Sequence, residues 1–210
     1  MTTIPAQLMT ANQFWDWVHR PENRDRRFEL ERGKVVELSR PGEVHGVTCA
    51  NVAWVLGNYA RQKRNGYVCG NDTGIMWECD PDTVKGPDVV FYDKNVSFGE
   101  LNPKWTEEVP TLAVEVRSPN DRMSKITRRI GQILTWGVAL VWLVDPEDRT
   151  LTTYRRDRPP RGSRSGRGID GRRHSAGFPL SRGGLFLRAR RRECKRASRE
   201  VNRAVNCSTR

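Results

Sequence analysis

Between Thr111 and Asp145 the chain reads "TLAVEV", then "RMSKITRRIGQILTWG", then "VALVWLVDP". The first and last pieces are short, nearly continuous apolar runs, the pattern of strands buried on both faces. The piece between them carries Met123, Ile126, Ile130, Ile133 and Leu134 at helical spacing, with Asp121 as a candidate N-cap and Gly137 as its end. A strand, a helix and a second strand in that order predict a right-handed crossover joining two parallel neighbours. This unit places the chain in the α/β (α+β) class. One residue spoils the apolar run. Glu115 stands in the middle of "LAVEV", where a carboxylate is costly unless paired, protonated or bound to a metal.

The preceding residues supply further elements. Thr10 caps a short helix over "ANQFWDWV", with Phe14, Trp17 and Val18 on one face. "RRFELERGKVVELS" reads as a hairpin turning at Arg32-Gly33. "PGEVHG" reads as a loop, followed by a helix with Val47, Ala50, Trp54 and Tyr59 on its apolar side and Gly66 at its end. "YVCGND", "GIMWE" and "PDVVFYD" read as strands, "LNPKWTEEVP" as a loop, and "RTLTTYRRD" as a last strand. Trp54, Trp136 and Trp142 are expected in the core.

The net charge of +12 suggests a polyanion partner until it is divided along the chain. From Arg158 onward there are 16 Lys+Arg against 3 Asp+Glu; residues 1–157 hold 21 basic and 22 acidic residues, a net of −1. The expected organisation is therefore a nearly neutral domain over residues 1–157 and an Arg-rich tail over 158–210, disordered by composition. Five cysteines without a CxxC pair, and three scattered histidines, suggest reduced thiols and no zinc ligand cluster. "MTTIPAQLMTANQFWDW" does not read as a signal peptide, and the longest apolar run, "VALVWLV", is too short to span a bilayer. The expected location is cytoplasmic.

A second carboxylate, Asp88, opens the strand of "GPDVVFYD" behind a proline. Carboxylates at the ends of adjacent strands can share a Mg²⁺ or Mn²⁺, with water and a substrate phosphate as the remaining ligands. Such an ion offsets charge developing on a phosphate under attack. The helix after Glu115 offers Lys125 and Arg129 on one face, and Arg117 leaves the strand on the same side as Glu115. The bland alternative is an edge strand whose Glu115 and Arg117 face solvent or pair with each other.

Taken together, "FELERGKVVELS…HG", "GPDVVFYD", "LAVEVRSPNDR" and "GVALVWLVDPEDRTLTTYR" resemble, in order and spacing, the Uma-type family of bacterial restriction endonucleases in the PD-(D/E)XK nuclease superfamily. The likeness covers roughly residues 10–155. It implies a restriction-endonuclease-like mixed central sheet flanked by helices, and metal-dependent hydrolysis of DNA phosphodiesters. Carried over, Asp88 and Glu115 become the metal ligands, Glu29 a further acidic site residue, and His45 a recurrent histidine of underived role. The implied partner is DNA, with a homodimer as one assembly to test and no membrane. Many family members have a helical lysine where this chain has Arg129, and Arg117 holds the X-K position of the local motif. Arginine stays protonated and cannot act as a base, although it can grip a phosphate. Either Arg129 acts electrostatically, or Lys125 one turn earlier substitutes, or the site is catalytically weak or inactive, in a nuclease-fold protein that binds DNA or a protein partner. The abrupt start of the tail is what a reading-frame shift after "TTYRRDRPP" would produce.

Overall fold

A computed structural model describes residues 7–164. Three α-helices and ten strands form two sheets among the described residues. The larger sheet has the strand order β10-β9-β8-β7-β6-β3. It comprises β3 (Tyr67–Gly70), β6 (Val89–Tyr92), β7 (Leu112–Val116), β8 (Leu140–Asp145), β9 (Thr150–Arg155) and β10 (Arg158–Arg164). Strands β7 and β8 run parallel, joined by α3 (Met123–Thr135), as the crossover pattern requires; the other pairs are antiparallel.

The two faces of this sheet bury different helices. Val89, Phe91, Leu112, Val114 and Trp142 pack against Val52, Leu56 and Ala60 of α2 (Glu43–Lys63). Val90, Tyr92, Ala113, Val141 and Leu143 pack against Ile130 and Ile133 of α3. Alternation along each strand thus sends odd and even residues to opposite helices. The smaller sheet, in the order β2-β1-β5-β4, contains β1 (Arg27–Glu31), β2 (Lys34–Leu38), β4 (Ile75–Glu78) and β5 (Thr83–Lys85). It is covered by α1 (Ala11–Val18), whose Phe14 and Trp17 join Leu30, Val35 and Val84 in a third apolar cluster. Thr10 and Gln13 form the reciprocal cap at the start of α1.

Several local expectations need correction. The segment "PGEVHG" is not a loop throughout, because α2 begins at Glu43 and takes His45 into its first turn. The buried face of α2 is Thr48, Val52, Leu56 and Ala60, so Val47 is exposed and Trp54 is 62% exposed instead of lying in the core. Apolar residues occur on both sides of this helix, and Thr48 can be buried because its hydroxyl donates to the Val44 carbonyl. Asp121 does not cap α3; Arg122 occupies that position, and Asp121 Oδ2 accepts the Ser118 N–H at 2.8 Å. The three-residue β5 was too short to read. At the other end of the chain β10 pairs antiparallel with β9, so the first seven residues assigned to the tail continue the sheet. The rest of that segment, its expected disorder and the reading-frame question lie outside the described residues. Among the described residues no helix is long and apolar enough to cross a membrane.

Candidate active site

The register of β6 against β7 (Val89 opposite Val114, Val90 opposite Ala113) puts Asp88 at the next position, opposite Glu115. Asp88 sits where the chain enters β6, and its Oδ2 accepts the Val116 N–H at 2.6 Å. Glu115 leaves β7 on the side of Ala113, toward α3, and there it meets Arg129. The Arg129 Nε donates to both oxygens of Glu115, at 2.9 and 3.0 Å. The two terminal nitrogens donate to Glu29 at 3.0 and 2.9 Å, and one of them also to the Gly86 carbonyl at 2.9 Å. One guanidinium therefore ties β1, the approach to β6, and β7 to α3.

Glu29 is 6% exposed and takes a further hydrogen bond from the Gly86 N–H at 3.3 Å. Gly86 fits only as glycine, since a Cβ there would lie 2.3 Å from the Asp72 carbonyl oxygen. These residues, with Arg27, Asp72, His45 and Ser118, line an open cleft of ≈ 480 Å³. His45 reaches it from the first turn of α2, its Nε2 3.3 Å from Asp88 Oδ1 and its Nδ1 3.4 Å from the Cys49 thiol.

Burial and close charged neighbours together set the pKa shifts in the cleft. Burial pushes the Glu115 carboxyl up to about 7; the Arg129 guanidinium opposes the shift, while the Asp88 charge adds to it. The hydrogen bond to Asp88, and a weaker one to Cys49, hold His45 up at about 10 against the pull of burial. Burial alone would lower Arg129, but the Glu115 and Glu29 charges outweigh it and keep the guanidinium charged. The Cys49 thiol is raised, chiefly by burial.

Of the residues singled out from sequence, Glu29, Asp88, Glu115 and Arg129 come together in one cleft. Lys125 does not join them. It is exposed on the first turn of α3, is absent from the cleft lining, and its ammonium pairs with no described residue. Arg117 pairs with neither Glu115 nor solvent alone but with Asp145 at the end of β8, at 2.6 Å. Sequence reasoning passed over Gly86, although "KGPD" beside a candidate site aspartate was the available signal. It also found no zinc-type ligand cluster, whereas His45, Cys49 and Asp88 each bring a ligand atom within 4.8 Å of the others. The grouping depends on α2 starting at Glu43, ahead of the periodic pattern that begins at Val47, which sets His45 and Cys49 one turn apart.

Asp88 and Glu115 suit a hard divalent ion by their chemistry. Both are oxygen donors on one cleft wall, and their hydrogen bonds leave lone pairs on each carboxylate.

Comparison with known proteins agrees with this fold. Residues 11–179 match the model of the Uma2 family, described as "Putative restriction endonuclease". Among solved structures, a "putative nuclease belonging to DUF820 from Anabaena variabilis" superposes with a TM-score of 0.60 at 18% identity. The match covers 73% of this chain and 83% of that one, and at such identity it bears on the fold alone. No curated protein sequence matches the chain.

Proposed function

Because the chain belongs to the Uma2 restriction-endonuclease family, we propose that it is a metal-dependent endonuclease that hydrolyses DNA phosphodiesters in the Glu29–Asp88–Glu115 cleft. The observation that carries this reading is the pair Asp88 and Glu115, set opposite each other on adjacent strands and facing one cleft. These two carboxylates would hold a Mg²⁺ or Mn²⁺ ion. The chemistry such an ion supplies when bound is Lewis acidity toward a phosphodiester oxygen.

The chain's own groups have separable roles. Asp88 is held in place by the Val116 N–H. Arg129 pairs with Glu29 and Glu115 at once, which offsets part of the charge that three carboxylates bring to one partly buried site. It cannot take a proton from water, because a guanidinium between two carboxylates stays charged. Protonated His45 places a positive charge at the cleft wall, where a phosphate would be drawn. Lys125, exposed one turn before Arg129, would contact DNA backbone at most as a point charge.

A second reading is a nuclease-fold protein that binds DNA or a protein partner without cutting. What favours it is Arg129, whose hydrogen bonds already engage both oxygens of Glu115 and of Glu29. Incubating labelled duplex DNA with the protein in Ca²⁺ and then in Mg²⁺ separates the two readings. Binding in Ca²⁺ followed by cleavage in Mg²⁺ supports the endonuclease; binding in both with intact DNA supports the second.

A further inference from the structure

We infer that His45, Cys49 and Asp88 form a site for a borderline-soft divalent ion of the zinc class, at the wall of the cleft. The inference rests on the endonuclease reading only in that Asp88 is common to both sites.

The three donors are local and close together. His45 and Cys49 stand four residues apart on α2, which puts both side chains on one helical face. Asp88 comes from the sheet, its other oxygen fixed by the Val116 N–H, so the third donor does not depend on the helix. One ligand atom from each residue lies within 4.8 Å of the other two. All three residues are partly buried, which shields an ion while leaving it reachable from the cleft. No lysine or arginine side chain among the described residues hydrogen-bonds to any of them; of the cleft guanidiniums, Arg129 is committed to Glu29 and Glu115 and Arg27 to Asp72.

The donor types decide which ion fits. Thiolate, imidazole and carboxylate make up the zinc ligand set, whereas Mg²⁺ takes oxygen and sheds water reluctantly. The imidazole now bridges its neighbours, with Nε2 toward Asp88 and Nδ1 toward Cys49. Loading exchanges these hydrogen bonds for bonds to the ion, and the thiol proton and the imidazolium proton leave to solvent. With three protein ligands, one position stays open to water.

The test uses the full chain without DNA or Mg²⁺, so its outcome does not depend on whether the protein cleaves anything. Titration with Co²⁺ is expected to give a thiolate-to-cobalt absorption band that saturates at one equivalent. The band should vanish in Cys49→Ser and persist in Cys69→Ser. If Cys49→Ser fails to fold, alkylation of the unmutated chain by iodoacetamide gives the same information. Zn²⁺ should protect Cys49, read by mass spectrometry of its peptide, and leave Cys79 as reactive as before. Absence of the cobalt band, its persistence in Cys49→Ser, or alkylation of Cys49 at the same rate with and without Zn²⁺ overturns the inference.

Discussion

Arg129 Nε donates to both carboxylate oxygens of Glu115, at 2.9 and 3.0 Å, while its terminal nitrogens hold Glu29 a hundred positions earlier in the chain. This guanidinium is both a structural tie and the counter-charge of the Glu29 and Glu115 carboxylates.

Removing it leaves two carboxylates in a partly buried site without their counter-charge. Arg129→Ala is expected to destabilise the fold by about 3 kcal/mol, the low end for breaking a buried ion pair. Arg129→Lys should recover only part of this loss, because an ammonium cannot fork between Glu29 and Glu115. Urea denaturation of the three proteins checks both statements.

Glu115 makes stability depend on pH with a defined sign. Its folded pKa of about 7 lies above the usual 4.5. Between those values the native protein holds a proton that the unfolded chain has already released. Stability therefore falls as pH rises through this window and levels off above it. Glu115→Gln has no such proton, so the stability of the variant relative to the parent should increase across the window. A flat difference would show that Glu115 ionises normally.

His45 acts in the same sense, in a higher pH window. Held at about 10 by Asp88, the imidazolium adds stability that is complete below its usual 6.5 and is lost as pH rises through the folded value. NMR titration of the imidazole should show no step near the ordinary histidine value. In Asp88→Asn the midpoint should move down toward it.

The two faces of the tryptophan inventory give a simple test of the packing. Trp142 is 1% exposed in the central sheet, and Trp142→Ala should cost about 3–5 kcal/mol. Trp54 is exposed on α2, so Trp54→Ala should change stability by no more than about 0.5 kcal/mol. Chemical denaturation and acrylamide quenching of the two variants read out the difference.

What the sequence made legible was whatever depends on local pattern. The β7–α3–β8 crossover was plain because its strands are buried on both faces and its helix on one. The site carboxylates stood out against the same pattern: Glu115 interrupts an apolar run and Asp88 opens one. What remained hidden depends on choices that pattern leaves open. Either side of α2 could have been the buried one, and a buried threonine rather than Trp54 settled it. The first turn of α2 has no side-chain cap to announce it, so the nearness of His45, Cys49 and Asp88 was lost. Arg129 was recognised as a cation at the site. Its grip on Glu29 was not, because that contact joins α3 to β1 of the smaller sheet, a hundred positions away, and leaves no mark in local spacing.

The central claim, that Asp88 and Glu115 serve a metal-dependent endonuclease, is tested most directly by nicking of supercoiled plasmid in Mg²⁺ or Mn²⁺. The account predicts cleavage by the parent protein, its abolition by EDTA, and its loss in folded Asp88→Ala and Glu115→Ala. Cleavage that survives in either variant, or a folded parent protein that binds plasmid but never nicks it, would contradict the account.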